Sequence, residues 1–270
     1  RLTPQKILPL QIMKRLLLFH PALAPYRIDF FNALALHFHL HIVFLEHTNE
    51  DMVIAEQALL AQAQFAYSHF DSPSAGLAPY IKVIKTFQPD IVIGSECGKS
   101  TWMLYLSVLM LRGRFALFSM VDDSIAMAES VKGGRLKRRK WLCNVLDGIV
   151  TISEESAAWY KEHLGVKRAY SMPIIRNDQT FDGQRAARKP LAAEYLRTHQ
   201  LEGKKVGLFV GRLVPLKNVD NLLRALWNIR QTAPDARFIT VGDGPERKPL
   251  ERQAKALGLD ACVHFIGALQ

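Results

Sequence analysis

Cysteine is scarce in this chain: 270 residues include three, Cys97, Cys143 and Cys262, and no two form a C-x-x-C pair. That spacing excludes a thiolate zinc site and a disulfide framework, and it fits a reducing compartment. Long apolar runs are missing too. The longest, Trp102–Leu111, stops at Arg112 and is too short to span a bilayer. No charged, apolar and small-residue leader opens the chain. The expectation is a cytoplasmic protein, peripheral at the inner face of a membrane. Acids are outnumbered, 25 against 35 bases, which leaves a formal net charge of +10. Such a surface favours anionic partners: phosphorylated small molecules, acidic lipid headgroups or nucleic acid. No aromatic platform or nucleic-acid motif accompanies the charge, so nucleic acid is not expected.

What is present is a regular alternation. Short β-rich runs at Arg15–His20, His41–Glu46, Asp90–Gly94, Phe115–Val121, Gly148–Ile152 and Ala169–Met172 are separated by helical patterns. These are Ile28–Phe38, Val53–Ala66, Leu77–Phe87, Thr101–Leu111, Gly134–Val145 and Ser153–Leu164. Alternation of this kind predicts βαβ crossovers and a parallel sheet covered on both faces. Residues Pro173–Arg188 lack a clear period and read as a connection. A second alternation begins at Lys204: strand Lys205–Val210, helix Val219–Thr232, strand Arg237–Val241, helix Pro245–Leu257 and strand Cys262–Ile266. In the first of these helices Val219, Leu222, Leu223, Leu226 and Ile229 form one apolar stripe. A three-strand sheet leaves an unpaired edge, so the second unit is expected to be incomplete. The segments are an amino-terminal domain over 1–173, a connection over 174–203 and a partial carboxy-terminal domain over 204–270.

The string VIGSECGKST (Val92–Thr101) ends like a nucleoside-triphosphate phosphate loop. Such a loop needs four residues between its first glycine and the Gly-Lys pair. Between Gly94 and Gly98 only Ser95, Glu96 and Cys97 intervene, and a glutamate in the nest repels phosphate. A turn capping the following helix is the better reading, with a P-loop-like NTPase or kinase as the competing class. Glu96, Lys99 and Ser100 are then candidates to touch an acceptor.

Phosphate chemistry is better placed in the second unit. VGRLVPLKN (Val210–Asn218) lies where a strand ends and a helix begins, and its Arg212 and Lys217 stand five residues apart. Arginine grips phosphate with paired hydrogen bonds and lysine adds a mobile charge. GDGPER (Gly242–Arg247) follows the next strand, where open α/β sheets bind ligands. A glycine-requiring tight turn is the alternative there.

From Lys204 to Leu269, the order GR-L-x-P-x-KN, apolar helix, strand, GDGPE, helix ending LGL, strand HFIG resembles the carboxy-terminal domain of glycosyltransferase family 4, the glycosyl transferases group 1. PYR then FFNAL, QPDIVI and LDGIVTISEES fit the same template in the first half. The resemblance implies the GT-B fold, two facing Rossmann-like α/β domains, with the carboxy-terminal part missing here. It implies a retaining transfer of a sugar from a UDP- or GDP-type nucleotide diphosphate sugar, without a metal ion. The acceptor would be a glycolipid or a polysaccharide or lipopolysaccharide precursor. By motif match, Gly211, Arg212, Lys217 and Asn218 would bind the donor diphosphate, and Gly242, Asp243 and Gly244 would shape the nucleotide side. No cofactor is expected beyond the donor substrate, and the lack of an Asp-x-Asp pair agrees with cationic side chains replacing magnesium. The chain departs from the family in three places. PALAPY (Pro21–Tyr26) lacks a glycine pair, Val121–Asp123 stands where many members carry histidine, and the Glu-x7-Glu pair is expected after Gln270. A non-catalytic sugar-nucleotide-binding protein is the remaining alternative.

Asp122 and Asp123 are the candidate catalytic residues, as carboxylates contacting the donor sugar or an acceptor hydroxyl; helix capping is the other reading. His20 is expected to be packed or solvated. Lys132–Leu142 reads as a basic amphipathic helix start. Leu136, Trp141, Leu142 and Val145 would be its buried side, with Arg135, Lys137, Arg138, Arg139 and Lys140 displayed. Such a patch suits an anionic membrane surface or an acidic acceptor.

Overall fold

The computed structural model describes residues 13–45, 57, 59–70, 76–112, 115–175 and 178–268. The chain divides into two compact units, Arg1–Asn177 and Asp178–Gln270.

The first unit is built on strands β1 (Arg15–His20), β2 (His39–Phe44), β3 (Ala66–His69), β4 (Ile91–Ser95), β5 (Ala116–Val121), β6 (Gly148–Thr151) and β7 (Ala169–Ser171). They form one seven-stranded sheet in the order β3-β2-β1-β4-β5-β6-β7, parallel at every junction. Helices α1 (Ile28–Ala35), α2 (Leu77–Phe87), α3 (Lys99–Met110), α4 (Ile125–Ser130), α5 (Gly133–Val145) and α6 (Glu154–Leu164) connect them. The strands are continuous apolar runs because both faces are covered. Leu16 and Leu18 pack with Phe30 and Phe31 on one side, while Leu17 and Phe19 pack with Tyr80, Ile84 and Leu104 on the other.

The order reverses between β1 and β4, the switch point at which open α/β sheets hold ligands beyond the strands' carboxyl ends. His20 ends β1 there, and the turn Glu96–Gly98 follows β4.

The second unit opens with the 21-residue helix α7 (Asp178–Thr198). This stretch was expected to be an aperiodic connection. It is helical without an apolar stripe: its described residues are exposed apart from the half-buried Tyr195, so no 3.6-residue period shows in the sequence. Strands β8 (Val206–Val210), β9 (Arg237–Val241) and β10 (Val263–Gly267) form a parallel three-stranded sheet in the order β10-β9-β8. Helix α8 (Val219–Arg230) buries Val219, Leu223 and Leu226, and α9 (Arg247–Ala256) buries Leu250 and Ala254. Of the expected α8 stripe, Leu222 and Ile229 stay exposed.

Two elements depart from the expectation in the first unit. Strand β3 reads AYSH, four residues too polar to stand out, and α4 is six residues long. Of the expected helix Val53–Ala66, residues 53–56 and 58 lie outside the described residues; Gln57, Leu59 and Leu60 are helical, but the chain turns from Ala61 and Ala66 already opens β3, so the helix ends earlier than expected.

Candidate functional site

Unit 1 concentrates charge at the switch point. Backbone geometry sets this up: Glu96 and Cys97 have φ of 60° and 47°. Non-glycine residues hold that left-handed conformation only where the surroundings impose it. Here the turn's amides are all used internally. Glu96 N–H donates to the Met120 carbonyl (2.7 Å), Gly98 N–H to the Ser95 carbonyl (3.2 Å), and Cys97 N–H to Ser119 Oγ (2.9 Å). A phosphate nest needs free amides, and those of Glu96, Cys97 and Gly98 are committed, which does not favour a nucleotide-hydrolysis loop here.

Glu96 Oε1 accepts the Asp122 amide (3.3 Å). Its carboxyl is held up at about 7, first by desolvation and then by the neighbouring charges of Asp122 and Asp123. Glu96 is exposed as a residue while its carboxyl is partly shielded from water, which is why the direction of the shift survives. Together with Ser95, Lys99, Ser100 and Tyr80, Glu96 lines a cavity of about 270 Å³.

Asp122 and Asp123 follow β5, and neither caps α4; that cap is Ser124, whose side chain accepts from Met127 N–H. Asp122 is ion-paired to Arg27, a side chain 1% exposed. Asp123 is ion-paired to Arg139, which also bonds Tyr160, and Tyr160 Oη donates to Asp123 Oδ2 (3.3 Å). Burial pushes the Tyr160 hydroxyl's pKa up. Three polar atoms of this cluster are buried without a partner: Arg27 Nε, Asp122 Oδ1 and Arg139 Nε. The two arginines are the residues that sequence reasoning missed, because Arg27 lies 95 positions from Asp122 and Arg139 lies 16 from Asp123. His20 is packed: its Nδ1 donates to the Ala22 carbonyl (2.9 Å), and burial followed by the charge of Arg27 lowers it to about 4.

Helix α5 corrects two expectations. Arg139 is not displayed but turned inward to Asp123. Trp141 and Val145 are not its buried side, which is Leu142 and Cys143; Trp141 is 47% exposed and Val145 38%. The Trp141 ring stacks on Trp102 at 5.2 Å and 5°. Lys132, Arg135, Lys137, Arg138 and Lys140 are exposed. Among the described residues no helix is long and apolar enough to cross a membrane.

Unit 2 carries the other candidate residues on two loops zipped together by backbone. Gly211 N–H donates to the Val241 carbonyl, Leu213 N–H to that of Asp243, and Glu246 N–H to that of Leu213. The approach is so close that a Cβ at Gly242 would stand 2.0 Å from the Gly211 oxygen, and one at Gly244 2.3 Å from that of Leu213. Only glycine fits there, because the two loops at the carboxyl ends of β8 and β9 pack backbone against backbone. Arg212 and Lys217 are exposed on these loops, and among the described residues neither is ion-paired. Asn218 starts α8 in the left-handed conformation (φ 55°) and accepts from Asn221 Nδ2 (2.8 Å). Asp243, by contrast, is occupied. It accepts from the Gly244 amide (2.7 Å) and from Arg247 (3.0 Å), and the first of these holds its carboxyl below the usual range.

The glycosyl transferases group 1 model matches residues 193–270. An alpha-D-kanosaminyltransferase of Streptomyces kanamyceticus is 30% identical over 107 residues, 40% of this chain and 27% of that protein. A GDP-mannose-dependent alpha-(1-6)-phosphatidylinositol monomannoside mannosyltransferase of Mycolicibacterium smegmatis is 38% identical over 85 residues, 31% of this chain and 22% of that protein. The matched segments thus span about a quarter of those relatives' length. A glycosyltransferase structure from Rickettsia africae aligns over 96% of this chain and 69% of its own, with TM-score 0.66 and 14% identity. Residues 193–270 are thus similar in sequence to the glycosyl transferases group 1, and the chain as a whole has the α/β architecture of GT-B glycosyltransferases.

Proposed function

We propose that this chain serves a retaining glycosyltransferase that moves a sugar from a nucleotide diphosphate sugar to a glycolipid or cell-surface polysaccharide precursor. The observation that carries the reading is the pair of exposed cations Arg212 and Lys217, without an ion pair among the described residues, on the glycine-zipped loops at the carboxyl ends of β8 and β9. Arg212 and Lys217 then take the negative charge the diphosphate gains as it leaves, the task a metal ion performs elsewhere. Asn218 and Gly211 fix the loop that carries them, and Asp243 with Gly244 shapes the nucleotide side. The mannosyltransferase relative is GDP-mannose-dependent and acts on phosphatidylinositol monomannoside by its name, which supports a nucleotide-sugar donor and a lipid-linked acceptor.

In unit 1 the acceptor's hydroxyls meet Glu96, Lys99 and Ser100 around the 270 Å³ cavity. Glu96, with its carboxyl held up at about 7, is suited to receive an acceptor proton near neutral pH. Asp122 and Asp123, neutralised by Arg27 and Arg139, orient that cluster. Arg135, Lys137, Arg138 and Lys140, beside the exposed Trp141, hold the enzyme on an anionic membrane face.

Calorimetric titration of the chain with UDP and with GDP tests the donor site. Arg212→Ala and Lys217→Ala are each expected to weaken binding about tenfold, as loss of a charge-assisted hydrogen bond does. Affinity unchanged in both variants removes the central claim.

A further inference from the structure

The cysteines that look unrelated in sequence converge in space. Cys97 lies in the left-handed turn after β4, and Cys143 lies in the last turn of α5. Their sulfurs stand 3.3 Å apart although 46 positions separate them. The geometry points to a reversible modification site: we infer that Cys97 and Cys143 form a disulfide when the protein meets a peroxide. This inference does not depend on the proposed transfer reaction.

A disulfide needs its sulfurs at roughly 2.05 Å, so closure asks for a movement of about 1.2 Å. Both side chains are buried, with Cys97 8% and Cys143 1% exposed, and Cys143 borders a cavity. It lines a cavity of about 230 Å³ with Asn144, Asp147, Lys167 and Arg168, room enough for a molecule the size of hydrogen peroxide. The hydrogen bond from Cys143 holds the Cys97 thiol below its usual range, ahead of the opposing effect of burial, while the same contact and then burial push the Cys143 thiol up, so Cys97 is the readier thiolate and Cys143 the partner that closes the bond. Cys262, in unit 2, has no such neighbour; its Sγ donates to the Leu259 carbonyl at 3.2 Å.

The chemistry balances with peroxide as the only added reagent. One sulfur attacks a peroxide oxygen, the O–O bond breaks, and a sulfenic acid and water result. The second sulfur attacks the first, the S–O bond breaks, and a second water leaves with the remaining thiol proton. Two thiols give up two electrons and one peroxide becomes two waters. The bond would fasten the turn that presents Glu96 to the helix that presents Arg139, one turn before Cys143. The site is therefore placed to couple oxidation to the carboxylate cluster.

The test uses the whole chain, treated with hydrogen peroxide, blocked with iodoacetamide, digested and mapped by mass spectrometry. The expected result is a Cys97–Cys143 cross-linked peptide about 2 Da below the sum of its reduced parts, reversed by dithiothreitol, with Cys262 still alkylated. Cys143→Ser is expected to leave Cys97 as a sulfenic acid that dimedone traps. Full alkylation of Cys97 and Cys143 after peroxide, or their conversion to sulfinic acids without a cross-link, overturns the inference. The wild-type map decides the matter even where the serine variant fails to fold.

Discussion

Glu96 Oε1 accepts the backbone N–H of Asp122 at 3.3 Å, so the turn after β4 and the end of β5 share a proton-sensitive contact. Burial, then the charges of Asp122 and Asp123, raises the Glu96 carboxyl from 4.5 to about 7. A carboxyl raised in the folded state binds its proton more tightly there than in the unfolded chain. Its contribution to stability is therefore greatest below pH 4.5, declines as pH rises, and reaches its full penalty above about 7. Because Glu96 is exposed as a residue, solvent screening holds the effect to about 1 kcal/mol or less. Glu96→Gln is expected to flatten that slope in denaturation curves taken across this pH range. A variant whose stability keeps the wild-type slope assigns the slope to another group.

Arg27 is the side chain on which Asp122 depends. It is 1% exposed, paired to Asp122, and stacked against Phe30 at 5.5 Å. Arg27→Ala leaves a carboxylate without its counter-ion and a gap in the core. The expected loss is about 3 kcal/mol, the lower end for breaking a buried pair because Asp122 is 32% exposed. Arg27→Ala combined with Asp122→Ala is expected to lose less than the sum of the single changes. Urea denaturation of the four proteins measures the coupling, and strict additivity rules it out.

The glycines of the second unit give a sharper discrimination. Gly242 has φ of 137°, and a Cβ there would meet the Gly211 oxygen at 2.0 Å. Since the clashing atom is backbone, the two loops must separate. Gly242→Ala is expected to destabilise the unit by about 3 kcal/mol or more. It is also expected to abolish nucleotide binding with Arg212 and Lys217 still present. Calorimetry alongside circular dichroism reads both effects. Binding retained at wild-type strength would mean that the zipped loops are not the nucleotide floor.

Much of the fold was legible because parallel strands buried on both faces print continuous apolar runs, as RLLLFH at β1 and RFITV at β9 do. The phosphate-binding candidates were legible for a local reason: glycine, arginine and lysine cluster within each loop. What the sequence hid is long-range or unpatterned. Helix α7 has no apolar stripe, and β3 is four mostly polar residues. The Arg27–Asp122 pair and the Cys97–Cys143 contact join positions 95 and 46 apart, and nothing local marks either. Arg139 was read as a displayed cation because its neighbours are; only the packing of α5 against α6 through Tyr160 turns it inward.

The proposed membrane attachment rests on α5, where Arg135, Lys137, Arg138 and Lys140 are exposed beside Trp141. Helix α5 carries no acidic residue to offset them. The Trp141 ring, stacked on Trp102 and half exposed, adds an aromatic surface of the kind that settles at headgroup level. Each cation near an anionic surface contributes about 1 kcal/mol, and the contribution falls as salt is raised. The triple variant Lys137→Glu, Arg138→Glu and Lys140→Glu reverses three charges and touches neither Arg139 nor the buried Leu142. Co-sedimentation with vesicles containing phosphatidylserine is expected to fall at least tenfold in this variant. Trp141→Ala is expected to weaken binding at every salt concentration, since its contact is not ionic. Equal sedimentation of wild type with neutral and anionic vesicles would remove the electrostatic attachment.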